Sequence, residues 1–109
     1  MGYRKTLAID FDGVLHEYRN FEAPSGKPVP GAVEAWYKLY NAGYNLVVFT
    51  CRKDLDSVRE WMHRHFDFKR NIGHFYEPEI TNIKPMAIVY IDDRAIRFTN
   101  WDDIRKYFC

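Results

Sequence analysis

The chain has 109 residues, 47% apolar and 28% charged, with a formal net charge of +1; this excludes a disordered chain and predicts one domain, 1–109, with little material for a second lobe. The near-zero charge gives no global field for nucleic acid or a membrane surface, no apolar run is long enough to span a bilayer, and the N-terminus lacks a signal-peptide pattern. The two cysteines, Cys51 and Cys109, and the four histidines show neither a disulfide framework nor zinc spacing, so a reduced cytoplasmic setting is expected.

Residues 3–9 are predicted to form the first strand. Leu7, Ala8 and Ile9 are continuously apolar, as in a buried parallel strand. Alternation along an extended chain sends Asp10 and Asp12 to one side and Phe11 to the other, and Gly13 lets the chain turn away. An Asp-Gly pair by itself is only a turn signal. Two carboxylates at the end of a buried strand repel each other, however, and a divalent cation is the usual compensation.

Residues 15–30 form a loop too long for a simple strand-to-helix turn. It carries His16, Tyr18 and Phe21, which could lie beside the aspartates, although a solvated flap with hairpin character is the simpler expectation for each. Pro30 and Gly31 open a helix to about residue 42, stopped by Gly43. Its apolar face is Ala32, Ala35, Trp36 and Leu39, widened by Val33, Tyr37 and Tyr40. So wide an arc predicts a homo-oligomer using the outer side of this helix.

Residues 45–50 form the second strand, ending in Thr50, Cys51 and Arg52. Asp54 caps a helix to about residue 66, with Leu55, Val58, Trp61, Met62 and His65 or Phe66 at helical spacing. Residues 67–79 carry no legible pattern. A short strand is predicted over 80–83, leading to Lys84 and Pro85, and a strong one over 87–91, ending in Asp92, Asp93 and Arg94. Another short strand over 96–98 precedes a last helix, capped by Asn100, with Asp103 in its first turn and Trp101, Ile104, Tyr107 and Phe108 as its apolar residues.

This alternation predicts a parallel sheet covered on both faces, with a ligand crevice at the carboxyl ends of the strands. Four segments should deliver polar groups there: Asp10 and Asp12, Thr50, Lys84, and Asp92 with Asp93. Carboxylates, a hydroxyl and a lysine suit a phosphoryl group beside a magnesium ion. Arg52 is a candidate substrate contact through its planar fork, and Arg52, Lys53, Arg59 and Arg64 could form a local basic patch.

The order and strand-end placement of these residues resemble the haloacid dehalogenase-like (HAD) hydrolase superfamily over nearly the whole length. Asp10-Phe11-Asp12-Gly13-Val14 matches its first motif, Thr50 the second, Lys84 the third, and Asp92-Asp93 the acidic pair of the fourth. The resemblance implies a single three-layer Rossmann-like domain, mostly parallel, with helices on both faces. Neither inter-motif gap can hold a folded cap, so a capless member is expected. It further implies Asp10 as nucleophile and Asp12 as general acid and base. The backbone near Phe11, with Thr50 and Lys84, would hold the phosphoryl oxygens. Magnesium would be held by the Asp10 carboxylate, the Asp12 backbone carbonyl and the fourth motif, where Asp93 matches the direct ligand and Asp92 a position acting through water. The expected activity is magnesium-dependent hydrolysis of a phosphomonoester, on a small molecule or a macromolecule. The alternatives are a polynucleotide or nucleotide phosphatase, which the overall charge does not support, and a non-catalytic phosphate-binding module.

Overall fold

The computed structural model describes residues 4–17, 23–66, 68 and 77–109. In chain order the elements are β1 (Thr6–Asp10), α1 (Ala32–Asn41), β2 (Asn45–Phe49), α2 (Leu55–His65), β3 (Glu79–Thr81), β4 (Val89–Ile91) and α3 (Trp101–Phe108). The four strands make one sheet in the order β3-β2-β1-β4, and every pairing is parallel. The fold is therefore α/β with the two most apolar strands at its centre. Tyr18 and Phe21 fall outside the described residues.

Register fixes which side chains share a face. Leu7 pairs with Leu46 and Val89, Ile9 with Val48 and Ile91, and Val48 with Ile80. Leu7, Ile9, Leu46, Val48 and Ile80 join Trp36 and Tyr37 of α1 and Val58, Trp61 and Met62 of α2 in one apolar cluster. Both helices thus cover the same face, as right-handed crossovers from β1 to β2 to β3 require. Asp54 caps α2 as expected, its Oδ1 accepting the Ser57 N–H at 3.2 Å. The helix then buries Val58, Trp61 and Met62, a spacing that places them on one stripe. In α1 the buried residues are Trp36 and Tyr37, whereas Ala35 is exposed. Tyr37 belongs to the core, so α1 does not carry the surplus apolar surface expected of it.

The opposite face is thinner. The connection from β3 to β4 contains no helix. Tyr90 pairs with Ala8 and so shares that opposite face, and its hydroxyl donates to the Pro85 carbonyl at 2.6 Å. The connection therefore returns across this face as a strap. Ala8 and Val47 are buried there without joining the main cluster.

Three expectations change at the C-terminal end. No strand forms over 96–98, so among the described residues the sheet ends at β4. The last helix forms, with the Asn100 side chain accepting the Asp103 N–H at 2.9 Å, yet none of its residues is buried. Trp101, Tyr107 and Phe108 are 69–74% exposed. Helices on both faces of the sheet are consequently not observed: local capping is enough to form α3, but does not seat it. Among the described residues, no helix is long and apolar enough to cross a membrane.

The described residues on either side of this loop come together with the expected hairpin character, through bridges of Asp12 with His16 and of His16 with Pro28. A Cβ on Gly26 would overlap the Glu17 carbonyl oxygen and approach His16 Nε2 to 3.0 Å. Gly26→Ala is expected to lower stability by roughly 1–3 kcal/mol, since backbone must shift to admit the methyl. Thermal denaturation measures it, and a variant as stable as the parent would contradict this close approach.

Candidate active site

The chain places its acidic residues where the sheet ends. Asp10 closes β1, and Asp92 and Asp93 follow β4, its hydrogen-bonded neighbour. One carboxylate oxygen from each of Asp10, Asp92 and Asp93 lies within 4.8 Å of the others. Gly13 makes this possible: its φ of 86° is left-handed, and a Cβ there would collide with the Asp93 carboxylate. The Asp92 Oδ1 accepts the Arg94 N–H at 2.8 Å, which fixes the turn after β4.

The three carboxylates set the local electrostatics. Burial and the neighbouring charge of Asp92 push the Asp10 carboxyl up to about 7, with Asp93 and Asp12 adding to the rise and the Phe11 N–H opposing it. Asp10 and Asp12 therefore differ sharply. Asp12 accepts Arg52 Nε at 2.7 Å on Oδ2, and Arg52 Nη2 at 2.9 Å on Oδ1. His16 Nδ1 lies 2.9 Å from the same Oδ1. Burial works against the charge on Asp12, yet hydrogen bonds from Arg52 and His16 and the Arg52 charge hold its carboxyl below the ordinary value of 3.8.

These opposite shifts predict opposite pH effects in the metal-free chain. A lowered carboxyl contributes stability at neutral pH that is lost as pH falls below 3.8 and through its folded value. Asp12→Asn should remove that acid-labile contribution. Denaturant titrations between pH 7 and pH 3 measure it, and parallel pH profiles for variant and parent would contradict the Arg52 and His16 pairing.

A cleft of about 690 Å³ opens over this edge, lined by Asp10, Asp12, Asp92 and Asp93 together with Arg52, Lys53 and Arg94. Cys51 also lines it. The sequence singled out Arg52 as a substrate contact; the fold places it in the cleft, bound to Asp12. Lys53 entered only as part of a local basic patch, and Arg94 was not singled out. Their sequence signal as cleft residues is position, each lying within four residues of a strand's carboxyl end.

Two expected phosphate ligands are not among the residues that line the cleft. Lys84 is not among the residues lining the cleft; its Nζ sits 4.7 Å from the centroid of the Tyr90 ring. The strap begins its return across the sheet directly after β3, and with no helix there to hold Lys84 at the carboxyl edge, the ammonium rests on an exposed aromatic face. Thr50 is buried, and its Oγ1 accepts the Arg52 N–H at 3.2 Å, so it shapes the turn that presents Arg52. Phe11 is fully buried and points into the core, stacked on His16; only its backbone reaches Asp10. The proposed basic patch is divided, since Arg52 pairs with Asp12 and Arg59 with Asp56 and Glu77.

His16 departs most from its expectation. It is 1% exposed, sandwiched between Phe11 and Trp61 and bonded to Asp12. The four-residue spacing from Asp12 was visible in the sequence, but the turn that brings the two together was not.

No family model matches the chain, and a search of curated proteins likewise matches none. Among solved structures, the chain is similar to a conserved protein from Bacteroides thetaiotaomicron. The TM-score is 0.59 at 24% identity, over 95% of this chain and 88% of that one. At this identity the likeness shows a shared fold.

Proposed function

We propose that the chain is a magnesium-dependent phosphohydrolase of the HAD-like kind, a single capless Rossmann-like domain that cleaves a phosphomonoester through an aspartyl-phosphate. The observation that carries this reading is the convergence of Asp10, Asp92 and Asp93 at the ends of two adjacent parallel strands, with the Asp10 carboxyl pushed up to about 7. The donor set fits magnesium: all three ligands are hard oxygens, and their repulsion falls on one half-buried carboxylate. Asp10, Asp92 and Asp93 would hold the ion. When bound, it would neutralise charge on these carboxylates and on the phosphoryl oxygens.

In this reading, Asp10 attacks phosphorus while the bond to the leaving oxygen breaks, and Asp12 protonates that oxygen. Water then attacks the aspartyl-phosphate at phosphorus and gives a proton to Asp12. Phosphate leaves and the Asp10 carboxylate is restored. Arg52, Lys53 and Arg94 are the cations at the cleft, and they supply the charge that Lys84, lying on Tyr90, does not. Arg52 has two uses. On Asp12 it favours the carboxylate form that accepts the proton of water; moved to the phosphoryl oxygens, it lets Asp12 carry a proton to the leaving group.

The position of Lys84 also favours a second reading, in which the cleft binds a phosphoryl group without turning it over. A chromogenic phosphomonoester assayed with magnesium, and again with a chelator, separates the two. Magnesium-dependent phosphate release supports hydrolysis. Phosphate binding without release supports the module, and the absence of both rejects both.

A further inference from the structure

We infer that His16 is a positioning residue for Asp12: as the neutral ring protonated at Nδ1, it holds Asp12 Oδ1 and leaves Oδ2 to carry the proton. The inference rests on the acid–base reading of Asp12 given above.

The protonation state follows from the partners of the ring. Gly26 N–H donates to His16 Nε2 at 2.9 Å. A ring nitrogen that accepts a hydrogen bond carries no proton, so the single proton of the neutral ring is on Nδ1. Nδ1 lies 2.9 Å from Asp12 Oδ1 and donates to it.

The ring has no freedom to change this arrangement. It is parallel to Phe11 within 5° at 5.0 Å and stands edge-on to Trp61 at 5.1 Å. Trp61 Nε1 in turn donates to the Gly26 carbonyl at 2.9 Å, so both backbone polar groups of Gly26 are engaged. A side chain at Gly26 would collide with the backbone of Glu17. A buried relay of Trp61, Gly26 and His16 thus ties the core helix α2, through the flap, to one oxygen of Asp12. Buried polar chains of this kind are rigid when every member is satisfied, and no buried side-chain polar atom lacks a partner among the described residues.

Arg52 and His16 differ in what a bound substrate does to them. A phosphoryl dianion in the cleft competes with Asp12 for the Arg52 fork, because guanidinium matches phosphate as well as carboxylate. The neutral, buried His16 ring has no such competitor. When Arg52 turns to the substrate, His16 remains on Oδ1, and the oxygen released by Arg52 Nε, Oδ2, is the one able to protonate the leaving group.

The test combines a spectroscopic and a kinetic readout. Long-range proton–nitrogen NMR of the labelled chain reports which ring nitrogen is protonated. His16→Phe keeps the aromatic packing and deletes both hydrogen bonds, whereas His16→Asn restores a donor near Nδ1. The expected result is an Nδ1-protonated ring whose bonded proton signal is lost in Asp12→Ala. His16→Phe should show a kcat lowered roughly 10–100-fold with KM little changed, and His16→Asn should recover part of that loss. A ring protonated at Nε2 overturns the inference. So does an active parent whose kcat is unaffected by His16→Phe, or a loss that appears only in KM. If His16→Phe does not fold, the ring signal and His16→Asn decide. If the parent turns over no phosphomonoester, the hydrolase reading fails by itself, and the ring signal alone supports or overturns the placing of Asp12.

Discussion

Asp10→Asn is expected to abolish magnesium-dependent turnover and, in the same metal-free protein, to raise stability. The first effect follows from removing the nucleophile, and a loss of at least roughly a thousandfold in kcat is anticipated. The second follows from linkage. The native Asp10 carboxyl titrates near 7 against an ordinary 3.8, so between these values the folded chain binds more protons than the unfolded one. Stability is therefore lost as pH rises from 3.8 to about 7. The shift sets a ceiling of about 4 kcal/mol, and screening at a half-exposed carboxylate brings the expected gain to about 1–2 kcal/mol at neutral pH. The gain should vanish below 3.8, where both states are protonated, and should shrink when magnesium is added to the parent. Denaturant titrations at several pH values measure it. A variant that is inactive but no more stable would contradict the repulsive cluster, whereas a stabilised variant that still turns over would contradict the nucleophile.

Asp93→Ala and Asp12→Ala are expected to separate metal binding from proton transfer. Asp93 shares the cluster with Asp10 and Asp92, while the carboxylate of Asp12 is taken by Arg52 and His16. Removing Asp93 should weaken magnesium binding by about tenfold or more. Removing the Asp12 side chain should leave binding within a few-fold of the parent and lower kcat by roughly 100-fold or more. Calorimetric titration of magnesium into both variants decides the first point. Equal affinities would reject the assignment of Asp93. Asp92→Ala belongs in the same series, because an Asp92 oxygen also lies within 4.8 Å of those of Asp10 and Asp93 and its charge raises Asp10 more than that of Asp93 does.

Much of the scaffold could be read directly from the chain. The apolar runs at Leu7-Ala8-Ile9 and Leu46-Val47-Val48 became the two central strands because only a strand covered on both faces tolerates uninterrupted apolarity. Asp54 and Asn100 marked helix starts because capping is local and needs only the next three residues. The acidic edge was legible for a related reason: in a parallel sheet, whatever follows each strand lies at one edge, so Asp10, Asp92 and Asp93 had to be near one another.

Whatever depends on neighbours along the chain was therefore legible in advance: the α/β element order, the strand ends, the caps and the acidic edge. Tertiary structure alone decided what depends on the path of a connection. Lys84 has the spacing of a site residue, but the strap that carries it recrosses the sheet and leaves it on Tyr90. His16 has the look of a loop residue, but Gly26 and Trp61 enclose it and aim it at Asp12. Trp101, Tyr107 and Phe108 have the period of a buried helix face, yet α3 stands unburied, because amphipathic spacing specifies that a face is apolar and not which surface it will meet. The physical reason is the same in each case. Hydrogen bonds within a turn or a ladder are fixed by local geometry, whereas the partner of a side chain across the fold is set by which backbone path leaves room for it.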